Sequence, residues 1–230
     1  MDYLLQSFLS AVGLVFALDP SVLAVVWTSI SISLVAVVLA SLFSIPMALV
    51  VALRQFRGKN LLLQSLNTLV AMPTVVVGLL LYGILSRQGP LGDMGLLYTP
   101  AAMVIGQCVL IIPIIWNLGI SAASAADERL LQTCRAMGAS GAQQLMLFLN
   151  EVRFGFMAAI VMGFGRAIGE VGIAMMLGGN IEGFTRTMTT AIALETSKGE
   201  FEFALALGGV LLLVAFIVNG LLQRFQYLDK

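Results

Sequence analysis

Histidine is absent from the 230 residues, cysteine occurs twice, and charged residues make up only 10% of the chain. Without histidine, a Ser-His nucleophile dyad and a histidine-bearing zinc site are both excluded. Cys108 lies in an apolar run and Cys134 in a polar one, with no C-x-x-C spacing, so both are expected as free thiols. Twelve basic and twelve acidic residues cancel, which removes the basic excess that nucleic-acid binding needs. A G-x-x-x-x-G-K-[ST] phosphate loop is missing too: Gly58-Lys59 is followed by Asn60, where Ser or Thr is required. No metal or cofactor site is therefore expected, and any ATP chemistry must come from another subunit.

What the chain has instead is apolar length. Hydrophobic residues are 60% of it, and the mean hydropathy is +1.01. Because ionised groups are costly in lipid, a chain this poor in them is read as an all-α polytopic membrane protein. Windows of about 20 apolar residues predict five spans, over residues 22–53, 61–86, 99–124, 154–178 and 203–223. Residues 1–20 are read as a separate N-terminal element, either an interfacial helix or a weak sixth span, and 21–225 as the membrane domain. The opening MDYLLQSFLS has no basic n-region, so no removed signal peptide is expected.

Lysine and arginine near span ends orient such a chain. One side collects Arg54, Arg57, Lys59, Arg129, Arg135, Arg153, Arg224 and Lys230, and the other only Arg87, Arg186 and Lys198. The first side, with the C-terminus, is expected in the cytoplasm.

On that side residues 125–153 form a long polar interval. Leu130, Leu131, Cys134 and Met137, then Leu145, Met146, Phe148 and Leu149, recur at helical spacing around Gly138 and Gly141. Two short helices joined at a glycine bend are expected there, serving either to dock a soluble partner or merely to connect spans.

Inside the fourth predicted span, Arg166 and Glu170 stand four residues apart, on one helix face. Such a pair either fixes packing or takes part in a pathway or its gate. Gly155, Ala159 and Gly163, with Gly165 and Gly169, suggest close helix contact. Pro46, Pro73 and Pro113 fall within spans one, two and three, where kinks are expected. The GGNIEG turn at 178–183 either cradles an anion with backbone amides or ends a helix. Beyond it, Thr185, Thr187, Thr189 and Thr190 supply hydroxyls at an apolar segment too short to cross, read as a gate-forming piece or a surface helix.

The stretch LLQTCRAMGAS resembles the cytoplasmic coupling motif of ABC importer permeases, E-A-A, three residues, then glycine. Gln132, Thr133 and Cys134 stand where that family has Glu-Ala-Ala, and Gly138, Ala139 and Ser140 match its G-A-S. At the far end Phe148, Asn150 and Glu151 replace the family's Ile, Leu and Pro. MPTVVVGLLLYGILSRQGPLG at 72–92 and GRAIGEVGIAMMLGGN at 165–180 resemble the molybdate and related oxyanion permeases. TRTMTTAIALETSKGEF at 185–201 is most similar to tungstate-type members. The resemblance implies a type I ABC importer transmembrane domain, coupled to its ATPase through Gln132–Cys134 and Gly138–Ser140. It also implies a homodimer in a prokaryotic cell membrane, two copies of a separate ATPase subunit, an extracytoplasmic binding protein, and tungstate as cargo, with molybdate or sulfate as the alternatives.

Overall fold

The computed structural model describes residues 20–126, 133, 134 and 136–227, and excludes the side chains of 219, 221–223 and 225–227. The N-terminal element at 3–18 and Gln132 lie outside the described residues. Eight α-helices and no strand occur among those described: α1 Pro20–Leu53, α2 Lys59–Val70, α3 Thr74–Leu85, α4 Pro100–Ser124, α5 Gly141–Ile168, α6 Gly172–Gly178, α7 Met188–Lys198 and α8 Phe201–Tyr227.

The central helix is α4, whose Met103, Ile111 and Ile115 are fully buried. The face that α1 turns to it is built of small residues, Ser33, Ala36, Ala40, Ser44 and Ala48. Lipid is as apolar as leucine, so helices associate in it through close approach and polar contacts rather than hydrophobic burial. Both occur here: Cys108 Sγ lies 3.4 Å from the Ala36 carbonyl, and Ser44 Oγ donates to the Ile112 carbonyl at 3.2 Å. Leu34, Val38, Leu39 and Leu42 point away from the bundle and are exposed, as expected of a lipid-facing side.

These contacts climb in the same direction along both helices, so α1 and α4 run parallel. By contrast, a Cβ on Gly155 would meet Ala122, and one on Gly163 would meet Ile115, so α5 runs antiparallel to α4. The Arg54–Lys59 loop, the end of α4 and the start of α5 therefore share one end of the bundle. The 86–99 loop and the start of α4 lie at the other.

Two of the five predicted spans are interrupted. Among the described residues, four helices are long and apolar enough to cross a membrane, within Pro20–Leu53, Pro100–Ser124, Gly141–Ile168 and Phe201–Val218. The second predicted span is the pair α2 and α3, bent by 95° at a short break. Pro73 causes the break: it has no N–H to continue a helical ladder, and its ring pushes Met72 toward extended geometry. Each half has 12 residues, or about 18 Å at 1.5 Å per residue, well short of the ~30 Å hydrocarbon core. Pro46 and Pro113 sit inside unbroken helices. The fourth predicted span starts earlier and stops sooner than its hydropathy suggested, as α5 over 141–168 followed by the short α6.

Candidate functional site

The first candidate region is the turn into α5. Cys134 is buried, and Gly138 takes φ 77°, the left-handed conformation that closes a helix. The Ala139 amide reaches back to the Cys134 carbonyl at 3.0 Å, completing the Schellman pattern of a helix end. Two residues later the next helix opens. Ser140 Oγ accepts from the Gln143 amide at 3.4 Å, and Gln143 Oε1 accepts from the Ser140 amide at 2.8 Å, a full capping box.

The G-A-S register is thus a stop and a start, with one residue between. The sequence reading of two short helices is corrected here, because the second of them is the first turns of α5 itself. A charged surface ends a hydropathy window but not a helix, so Glu151 and Arg153 sit within α5 without interrupting it. Around the turn Met137, Leu145, Met146 and Leu147 are exposed, an apolar rim on the basic end of the bundle.

The second region lies where α5 stops. Helical termini leave backbone groups unpaired, and inside an apolar bundle each must find a partner. Arg166 Nη1 meets Glu170 Oε2 at 2.7 Å, which places a cation in the last turn of α5 and an anion at the start of α6. The other carboxylate oxygen, Oε1, accepts from the Ile173 amide at 3.2 Å and caps α6. From α4, Gln107 Nε2 donates to the Ala167 carbonyl at 3.2 Å. From α7, Thr189 Oγ1 donates to the Glu170 carbonyl at 2.9 Å. Four helices therefore meet at one break.

The pair is asymmetric. The Glu170 side chain is 3% exposed and that of Arg166 is 37% exposed. Met162, Gly165, Gly169, Val171 and Met175 are exposed along the same length of chain. The run of small residues accordingly divides in two. Gly155 and Gly163 press against α4, whereas a Cβ on Gly165 would meet open space.

Thr185 and Thr187 are both buried. Thr185 Oγ1 accepts from the Ile181 amide and donates to the Gly178 carbonyl, closing the turn after α6. Thr187 caps α7 in a reciprocal pairing with Thr190. Its Oγ1 also lies 3.1 Å from Thr189 Oγ1. Because the Thr189 proton goes to Glu170, Thr187 donates in that contact. The Met188 amide donates to Ser29 Oγ of α1 at 2.6 Å. The GGNIEG turn directs its following amides, those of Phe184, Thr185 and Arg186, onto the Ile181 carbonyl. Within the turn itself the Gly179 amide closes α6 on the Met175 carbonyl and the Ile181 amide is taken by Thr185 Oγ1, the arrangement of a helix stop. The short segment is α7, packed into the bundle.

Gln107 and Ser29 were not anticipated, nor was the bond from Thr189 to the Glu170 carbonyl. Gln107 carried a signal, as the lone amide side chain in the apolar run AAMVIGQCVLII. Its Oε1 is buried with no partner among the described residues.

Residues 44–226 match the family described as the binding-protein-dependent transport system inner membrane component. The tungstate uptake system permease protein TupB of Peptoclostridium acidaminophilum is 37% identical over 226 residues, which cover 98% of this chain and 99% of that protein. A probable anion ABC transporter permease protein of Haloferax volcanii is 38% identical, covering 86% of this chain and 88% of its own. Among solved structures, the inward-facing MetNI methionine ABC transporter superposes with a TM-score of 0.71 at 14% identity, over 91% of this chain and 96% of that one. That likeness shows the fold of a type I ABC importer transmembrane domain. The chain belongs to the family of binding-protein-dependent transport system inner membrane components and is the permease component of an ABC transporter.

Proposed function

We propose that this permease imports a tetrahedral oxyanion, tungstate first, with molybdate and sulfate as the alternatives. The observation that carries the reading is the 37% identity, over nearly the whole of both chains, to a tungstate uptake permease. The working unit is a homodimer in a prokaryotic cell membrane, with the pathway between the two copies and the C-terminus in the cytoplasm. Two ATPase subunits bind the end that carries Arg54, Arg57, Lys59 and the Gly138 turn, and a binding protein delivers the anion at the opposite end. This chain forms the passage, and ATP is hydrolysed by the separate subunits.

Two regions have roles in this reading. Thr133, Cys134 and Gly138–Ser140, with Gln132, form the edge that the ATPase moves. Its exposed apolar rim and its rigid link into α5 support that assignment, because a push on the turn is a push on a 28-residue helix. Arg166 faces the pathway and Glu170 is its internal counter-ion. A guanidinium more than one-third exposed is costly against lipid, so water or anion is the better neighbour. Thr185 and Thr187 contribute to the gate by holding α6 and α7 to the break, since the Thr185 hydroxyl is committed to the backbone and the Thr187 hydroxyl to Thr189 and Thr190.

The test is uptake of labelled tungstate, molybdate and sulfate by cells with and without the gene for this chain. Loss of high-affinity tungstate uptake alone is expected. Unchanged uptake of all three anions would overturn the proposal.

A further inference from the structure

Two polar cavities lie at the end of the bundle opposite the Gly138 turn, and their charges differ. One, of about 500 Å³, is lined by Glu182, Arg186, Glu195, Lys198 and Glu200. Both of its cations are already paired, Arg186 with Glu182 at 3.3 Å and Lys198 with Glu195 at 3.0 Å. The other, of about 580 Å³, is lined by Tyr82, Ser86, Arg87, Gln88 and Tyr98 together with apolar and glycine residues. No carboxylate lines it, and Arg87 makes no ion pair or hydrogen bond among the described residues. Its volume falls within the ~300–1,000 Å³ of small-molecule sites.

The backbone there is arranged around a tyrosine. Tyr98 takes φ 63°, a left-handed conformation uncommon for a bulky residue and worth attention where a cavity adjoins it. The surroundings hold it there. Its amide donates to the Leu177 carbonyl of α6 at 2.8 Å, and its ring covers Gly179, where a Cβ would lie 2.7 Å from it. This places its hydroxyl 3.3 Å from that of Tyr82 on α3. Two facing hydroxyls hold two protons and use one between them, so the pair always has one left to donate. The Tyr98 hydroxyl is shifted above the ordinary tyrosine range, chiefly by the bond to Tyr82 and then by desolvation, so it keeps its proton. The same two tyrosines also line a groove with Met175 and Met176 of α6, the helix that Glu170 caps.

We propose that the Arg87 cavity is an outer binding site for a tetrahedral oxyanion, with the Arg87 guanidinium and the Tyr82–Tyr98 hydroxyls as donors. It holds the anion beside the groove that the two tyrosines share with Met175 and Met176 of α6. The inference rests on the oxyanion reading above. The same chemistry would also hold a lipid phosphate, since arginine and tyrosine collect at membrane interfaces, and the experiment separates the two sources.

The measurement is equilibrium dialysis of labelled tungstate against the complete permease–ATPase complex, without its binding protein. It is done in phospholipid-free detergent and in phosphatidylcholine nanodiscs. Saturable binding is expected in both, weakened at least about tenfold by Arg87→Gln and about threefold by Tyr82→Phe, as for losing a charged and a neutral hydrogen-bond donor. Arg87 is exposed and has no partner among the described residues, so its variant folds; Tyr82→Phe removes a single oxygen and is the second check. Binding unchanged by both variants would overturn the proposal, as would binding in detergent that vanishes in nanodiscs, which would assign the site to lipid phosphate. If uptake of all three anions fails in the wild-type system, the parent reading falls as well; if uptake holds and the variants bind normally, only this site falls.

Discussion

The chain contains two helix interruptions that use similar residues and are supported in opposite ways. At Gly138–Ser140 a helix ends on a left-handed glycine and another begins on a capping serine, and the bonds that hold the turn are local, within five residues. At Gly169–Val171 a helix also ends and another begins, but the bonds come from α4 and α7 as well as from the Arg166–Glu170 pair. The first sits among exposed apolar side chains, and the second is built on a buried carboxylate, Glu170. A locally held, exposed turn can be moved as a unit by a partner, whereas a break tied to two other helices moves only if those helices move. On the proposed function, the difference makes the first a handle and the second a joint.

Removing the joint should have the largest effect on stability. Glu170→Ala leaves Arg166 and the Ile173 amide without their partner. A fully buried pair broken this way costs ~3–5 kcal/mol, and the partial exposure of Arg166 reduces this to roughly 2–3 kcal/mol. Thermal unfolding of the purified complex should show a clear fall in Tm, and an unchanged Tm would mean that the pair does not hold the break. Overpacking next to it should follow. Gly163→Leu forces a side chain onto Ile115, where even a Cβ would sit at 2.7 Å, for about 1–3 kcal/mol. Gly165→Leu, facing open space, should leave Tm nearly unchanged, so equal losses at the two sites would contradict the antiparallel α4–α5 contact.

At the handle the pattern should invert. Gly138→Val strains a left-handed residue by ~1–2 kcal/mol locally, with little change in global Tm but a large loss of uptake per ATP hydrolysed. Ser140→Ala removes one cap and should cost about 1 kcal/mol at most, read as faster hydrogen exchange in the first turn of α5.

How much of this was legible before the fold depends on which physical signal each feature leaves. Spans at 22–53 and 99–124 were placed within two residues, because lipid demands an apolar run and the run is visible. The Arg166–Glu170 contact was legible too, since four-residue spacing survives even though the helix ends between them. The break itself was not. Isoleucine, glycine and valine look the same to a hydropathy window whether the helix continues or stops, and the deciding groups, Gln107 and Thr189, lie far away in sequence. The start of α5 was misplaced for the converse reason, since charge ends an apolar window without ending a helix. Thr185 and Thr187 were picked out as hydroxyls, but whether a hydroxyl faces a pathway or caps a backbone depends on neighbours that sequence alone does not place.

The most direct test of the central claim is the ratio of tungstate imported to ATP hydrolysed by the reconstituted complex, measured for wild type and Gly138→Val at matched Tm. The account predicts that the variant still hydrolyses ATP while its uptake per ATP falls about tenfold, the factor that ~1.4 kcal/mol of lost coupling produces. A wild-type ratio in Gly138→Val would contradict it.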